Sequence, residues 1–266
     1  MQIKWDIQGL FIYLALAGYL AALVAVFVRL KASDTRFCFL FAFLSAATAY
    51  IVRWTQFSHL PMQNLFEIFL LMGLLIWPIS LLSRHLLKDN SWQTAAGDAL
   101  IGVLVMIPTG FVFSAAPRPL PPALQCVLFG PHVASYMIAY VLMARACVPA
   151  VTGLICFHGG QRLINTERLC YGMTAAAFPL LSLGLILGSV WGKLAWGDWW
   201  GWDPKELWSL ACWLMVAFYF HWRIIHPKQY LRIRLVLVLI GMFFIIITLL
   251  WVNLSRLFPG LHNYAM

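Results

Sequence analysis

"WGKLAWGDWWGWDPKELW", residues 191–208, decides how this chain is read. Residues 191–213 hold Trp191, Trp196, Trp199, Trp200, Trp202, Trp208 and Trp213, out of thirteen tryptophans in 266 residues. The same stretch holds Asp198, Asp203 and Glu206, out of nine acidic residues. Part of it has a local structural explanation. Asp203 suits the N-cap of a helix, Pro204 suits the first helical position, and Glu206 falls where a capping box needs it. Capping leaves the tryptophans unaccounted for. Indoles anchor helices at a membrane interface, and that role covers two or three of them. The rest, interleaved with Gly192, Gly197 and Gly201, suit a flat apolar platform that backbone can approach closely.

The composition outside this stretch sets its context. The chain is 63% hydrophobic and 10% charged, with mean hydropathy +0.85, whereas a soluble domain carries about 25% charge. Several apolar runs approach the ~20 residues that cross a bilayer. The expected fold is an all-α polytopic membrane protein, read as one helical domain over 1–266. About eight spans are expected, at 8–30, 37–55, 64–83, 96–114, 132–157, 172–190, 205–222 and 234–252. The first run ends in Arg29, Lys31 and Arg36, which reads as a stop-transfer flank rather than a cleaved signal. The loop "AAPRPLPPALQCVLFGP", residues 115–131, is too rich in proline to span and predicts a short segment lying on the outer face.

The net charge of +9 does not imply nucleic acid, because the charges sit in short connections and set topology. One side collects Arg29, Lys31, Arg36, Arg84, Lys88, Arg162, Arg168, Arg223, Lys228, Arg232 and Arg234. The other collects Lys4, Arg53, Arg118, Lys193, Lys205 and Arg256; Arg145 falls inside the fifth span. The richer side is expected to be cytoplasmic, which places both termini and the tryptophan stretch outside. The six cysteines show no CxxC spacing and read as small hydrophobes within apolar runs.

Seven histidines remain to be sorted. His85, His158 and His226 fall in cationic connections or at helix ends, and His59 precedes "LPMQNLFE"; all four read as structural or solvated. His132 opens the fifth span and His262 follows the eighth. Four spans lie between them, so they share a face with each other and with the tryptophan stretch. His221 falls about 25 Å along the seventh span at 1.5 Å per residue, near the inner boundary, where an ionisable residue carries a functional prior. Two imidazoles facing a bank of indoles suit haem: neutral imidazole ligates haem iron, indole faces cover the porphyrin, and outer Lys193, Lys205, Arg118 and Arg256 are candidates to pair with propionates.

"AWGDWWGWDPKELWSLACW" resembles the tryptophan-rich, or WWD, signature of the cytochrome c assembly superfamily of membrane haem-handling proteins. The continuation "WDPKELW…FYFHWR" is similar to the CcsA/ResC type of system II rather than the CcmC type. "SHLPMQNLFEIFLL", "PHVASYMIAY" and "GLHNY" resemble further family segments, so the likeness runs from about residue 50 to the C-terminus. The resemblance implies b-type haem as substrate and bound ligand. It implies His132 and His262 as ligands of an outer haem iron, with Trp191, Trp196, Trp199, Trp200, Trp202, Asp203 and Trp208 around the cofactor. It implies His221 as ligand of a second, intramembrane haem iron whose other ligand comes from a CcsB/ResB-type partner. Thioether attachment to the CxxCH of apocytochrome c would follow, in a bacterial-type cytoplasmic membrane or a thylakoid equivalent. Asp203 and Glu206 have an equally good reading as a helix start. A CcmC-like chaperone without ligation activity, an electron-transferring cytochrome and a transporter that uses the indoles only as an interface belt are the alternatives.

Overall fold

The computed structural model describes residues 3–57, 59–89, 91–156, 160–227 and 229–254. Eight long helices carry it: α1 Ile7–Phe27, α2 Ala32–Phe57, α3 Leu65–Leu87, α4 Trp92–Phe111, α5 Phe129–Cys156, α6 Gly160–Trp196, α7 Pro204–Ile225 and α8 Leu231–Ile246. The last continues through a π turn, Ile247–Trp251, and a final turn, Val252–Leu254. All eight are long and apolar enough to cross a membrane, and among the described residues there is no strand. This is a multi-pass, all-α membrane protein.

The spans fall where hydropathy places them, with one large difference. The sixth was expected over 172–190, and α6 runs from Gly160 to Trp196. Thirty-seven residues make about 55 Å of helix at 1.5 Å each, well beyond the ~30 Å hydrocarbon core. Both polar-looking ends that read as connections are therefore helix. Trp191 and Trp196 belong to the last turns of α6, and only 197–203 separate it from α7. The proline-rich segment forms a single short turn, Pro122–Leu124, rather than a longer surface helix.

The chain divides into two compact units, one over Met1–Pro121 and one over Pro122–Met266. In the first, α1 packs on α2 and α4, and α3 packs on α2 and α4. Side-chain caps start several of these helices. Asp6 accepts from Gly9 N at 2.7 Å, Asn64 from Glu67 N at 3.0 Å and Ser91 from Thr94 N at 3.3 Å. In the second unit, α5 packs on α6 and α8, and α7 packs mainly on α8.

Among the described residues, three clusters of opposite charge tie the helices together, and none was expected from sequence. Arg53 had been sorted among the outer loop charges; it is 3% exposed and meets Glu67, 1% exposed, at 2.8 Å. Its Nη1 also donates to Ala115 O at 2.7 Å, and Glu67 Oε2 accepts from Gln63 N at 2.8 Å. Asp98 on α4 accepts from Ser80 Oγ and, at 3.1 Å, from Arg84 Nη2, both on α3. In the second unit, Glu167 on α6 accepts from Arg223 Nε on α7 at 2.9 Å and from Arg234 Nη1 on α8 at 3.3 Å.

Removing one partner of a buried pair strands the other charge and costs about 3–5 kcal/mol. Glu67→Gln should therefore lower the unfolding temperature of the detergent-solubilised chain markedly, read by tryptophan fluorescence on heating. The apolar double replacement Arg53→Met with Glu67→Leu should recover much of that loss. An unchanged unfolding temperature in Glu67→Gln would show that the pair is not holding α2 to α3.

Candidate functional site

His132 lies in the first turn of α5 and its ring is seated on α6. Its Nδ1 is 2.9 Å from Gly184 O. A carbonyl only accepts, so Nδ1 carries the proton and the lone pair resides on Nε2. The ring passes directly over Gly188, where a Cβ would come within 2.6 Å of His132 Cε1. One turn earlier, a Cβ on Gly184 would come within 2.8 Å of the Tyr136 ring. The pair Gly184 and Gly188 therefore cuts a groove along α6 into which His132 and Tyr136 both fit, the small-residue solution to close helix approach in a membrane. Tyr136 meets His132 edge-on at 5.2 Å, and Trp191 lies 5.6 Å from it on the other side.

Trp191 is itself anchored. It is 2% exposed, its Nε1 donates to Ala123 O at 2.7 Å, and its ring packs on Phe129 at 6.0 Å and on Trp196 at 4.8 Å. The proline-rich segment thus meets the α6 terminus through the Ala123 carbonyl. Gly197 ends α6 in the left-handed region, φ +90°, with its N–H on Lys193 O, the usual role of glycine there. The chain then doubles back, so that Ser189 Oγ donates to Trp199 O at 2.8 Å.

The turn into α7 is built by two carboxylates. Asp203 caps the helix with its side chain on Lys205 N at 2.8 Å. Glu206 Oε2 accepts from Asp203 N at 3.1 Å and from Gly201 N at 2.8 Å. The capping box read from sequence is present, and it extends one step further than a box needs. Between these two anchored N–H groups stands Trp202, with φ +55°. A left-handed conformation costs a non-glycine residue roughly 1–2 kcal/mol. It is held there 67% exposed, edge-on to Trp200 at 6.1 Å. Trp199 is also exposed, and Trp200 Nε1 is buried without a partner.

The structure brings His132, Trp191 and Trp196 together and puts Trp199, Trp200 and Trp202 on the turn that follows. It places Trp208 elsewhere, against Phe244 of α8 at 5.6 Å, where it lines an open apolar groove of about 580 Å³ with Phe243, Ile247 and Trp251. Trp213 stacks on Phe178 and donates to Ser182 Oγ, tying α7 to α6. His262 lies outside the described residues, as do His158 and Arg256.

His221 is on the opposite kind of surface. It is exposed on α7, the least covered of the eight spans. Exposed Leu214, Phe218 and Ile225 share its face, at the i, i+4, i+7, i+11 spacing of a helix-packing stripe. Its Nδ1 donates to Ala217 O at 2.8 Å, which leaves the lone pair on an outward Nε2. His59 and His226 make similar bonds to carbonyls at 3.1 and 3.3 Å, so the tautomer alone selects no ligand. His132 is set apart by its seat on a second helix, and His221 by its place in an uncovered apolar stripe.

The comparisons with known proteins bear on the whole chain. The cytochrome c assembly protein family matches residues 32–259. The chain belongs to that family. It is similar to the cytochrome c biogenesis protein CcsA of Prochlorococcus marinus strain NATL1A, 29% identical over 95% of this chain and 93% of the relative. The CcsA of strain MIT 9303 is 32% identical, over 81% of this chain and 79% of its own length. The CcsA of Chlamydomonas reinhardtii is 28% identical over 81% of this chain and 64% of its own length. Among solved structures, the cytochrome c heme lyase CcmF superposes with a TM-score of 0.68 at 19% identity, over 97% of this chain and 53% of that one. That likeness is one of fold. The tryptophan-rich stretch of this chain lies on the α6 terminus, the turn that follows it and the start of α7.

Two outcomes are expected from this geometry. In chain labelled with ¹⁵N-histidine, His132, assigned by its loss in His132→Gln, should give the shifts of an Nδ1-protonated ring. Gly188→Ala should displace that signal while leaving His226 unmoved; an unaltered His132 signal would mean that the ring is not seated on α6. Trp202→Gly should relieve the strain and raise stability by about 1 kcal/mol, read as a higher unfolding temperature. A clear drop instead would show that the exposed indole is structural.

Proposed function

We propose that this chain is the haem-binding subunit of a membrane cytochrome c synthase. It presents haem at the outer face and, with a CcsB/ResB-type partner, supports thioether attachment to the CxxCH of apocytochrome c. The observation that carries the reading is the His132 seat: an imidazole of fixed tautomer on α5, held against Gly184, Gly188 and Trp191 of α6, in a chain of the cytochrome c assembly family. A ligating histidine donates its other ring nitrogen to a carbonyl or carboxylate, which fixes its orientation and raises its basicity. Gly184 O fills that role for His132.

The donor set fits haem. Nitrogen from neutral imidazole is a normal axial ligand. The indoles of Trp199, Trp200 and Trp202 offer apolar area to a porphyrin beside it, and the unpartnered Trp200 Nε1 offers a donor. His262 is the proposed second axial ligand. Haem supplies the vinyl carbons to which the thiols of CxxCH add. The chain's own contribution is to hold the iron and the ring edge still, which is catalysis chiefly by orientation. Asp203 and Glu206 keep the turn in shape and need no proton-transfer role.

His221 is the proposed ligand of an inner haem iron shared with the partner. Support comes from its outward Nε2 on a stripe formed with Leu214, Phe218 and Ile225, a surface that suits another helix. The orientation follows from charge. The α7–α8 connection and its flanks carry Arg223, Lys228, Arg232 and Arg234, so that end is assigned to the cytoplasm and the tryptophan-rich turn to the outer side.

Purified with its partner, the wild-type complex should show the visible spectrum of bis-histidine haem. His132→Ala should shift that spectrum or lower the pyridine haemochrome count several-fold, with partial recovery in added imidazole. His221→Ala should deplete haem only when the partner is present. No haem in the wild-type complex would overturn the reading. An outer-site spectrum that ignores His221 with and without the partner would favour a chaperone that binds haem on one side only.

A further inference from the structure

In the first unit, the α1–α2 and α3–α4 connections lie beside a cleft of about 830 Å³ that the haem reading does not use. Its rim carries Arg29, Arg36 and Arg84, and its wall carries Leu30, Phe39 and Trp92. Arg36 and Arg84 also border a neighbouring cleft of about 450 Å³, with Lys88 and Trp77. The two arginines therefore stand between two cavities, each with cationic rim and apolar floor.

The polar groups there are arranged for an anion. Arg84 gives one guanidinium edge to Asp98, at 3.1 Å, while its Nε is buried without a partner. The first residue of α2, Ala32, and the N-cap of α4, Ser91, both line the cleft. The starts of two helices thus border it, and the positive end of a helix dipole favours negative charge. Arg36 is exposed, and its Nε bonds only to the carbonyl of Ala32 one turn back, so its terminal nitrogens face the rim. Asp98 offsets one of the three positive charges, and the exposed Asp34 in the first turn of α2 bonds to Ser33 Oγ.

We propose that this cleft is a binding site for the headgroup of an anionic phospholipid. The phosphate would sit among Arg29, Arg36 and Arg84, with an acyl chain along Leu30, Phe39 and Trp92. The apolar wall argues for a lipid over a soluble anion. Phosphate alone would leave Trp92, 54% exposed, and Leu30, 51% exposed, uncovered, whereas a lipid covers both. The cleft lies at the ends of helices long and apolar enough to cross a membrane. Basic pockets between transmembrane helices bind acidic lipid headgroups in this manner, and the volume falls within the range of small-molecule sites. The proposal stands apart from the haem reading, since every residue in it lies in the first unit.

Native mass spectrometry of the full chain in detergent tests it. Offered equal phosphatidylglycerol and phosphatidylcholine, the chain should retain one phosphatidylglycerol at least fivefold more often. Arg29→Gln with Arg36→Gln, both exposed and so tolerable to the fold, should abolish that preference. Arg162→Gln with Arg168→Gln, which removes the same charge from exposed positions on α6, should leave it intact. Equal retention of both lipids, or equal loss in both double variants, would overturn a specific site. Displacement of the lipid by millimolar inorganic phosphate would overturn the lipid assignment in favour of a soluble anion.

Discussion

Hydrocarbon offers a polar side chain nothing to bond to, and the helices of this protein are arranged around that constraint. Several buried charges meet their opposites on another helix. Arg53 and Glu67 join α2 to α3, Arg84 and Asp98 join α3 to α4, and Glu167 draws α7 and α8 onto α6 through Arg223 and Arg234. Apolar side chains pack about as well against lipid as against each other, so they specify helix neighbours weakly. A stranded charge costs several kcal/mol, so these pairs exclude most alternative arrangements. The Glu167 cluster has a further consequence. It lies at the far end of α6 from Trp191 and holds α7 and α8 to α6, the helix that also approaches α5.

That approach determines what His132 can do. Gly184 and Gly188 bring α5 close enough for the imidazole to reach a backbone carbonyl of the neighbouring helix. Trp191 closes the other side, and it is held in turn by Ala123 O. The α7 cap then folds the intervening turn so that Trp199 and Trp202 remain exposed. Glu206 is central to this, because one carboxylate oxygen accepts from the N–H groups on both sides of Trp202. The two acidic residues of "WDPKE" thus shape the backbone of this turn.

Much of this was legible in the sequence. Eight spans follow from runs of apolar residues, because the bilayer demands length and hydropathy and little else. The capping box at Asp203 follows from residue spacing alone. The extent of α6 did not, since "QRLINTERL" reads as a polar connection. Its acid is neutral in effect because Arg223 and Arg234 surround it, and those partners lie 56 and 67 residues away. The Arg53 pair was hidden for the same reason: a charge near a span end shows its side of the membrane, but its partner lies on another helix. An ionisable residue beside an apolar run is the signal that was available. Gly184 and Gly188 were invisible for a different reason, because a glycine in a helix announces nothing until the ring that crosses it is placed.

The two described histidines that the function invokes differ in how much of their environment this chain supplies. Both hold Nδ1–H on a carbonyl. For His132 that carbonyl belongs to a second helix, and aromatic rings meet two of its sides, so a ligand finds the imidazole already oriented and little ordering cost remains. For His221 the carbonyl belongs to its own helix, four residues back, and the ring otherwise faces outward from an apolar stripe. Among the described residues, no second hydrogen bond holds that ring. The chain itself orients His132 across two helices, whereas it leaves His221 on an uncovered face of α7.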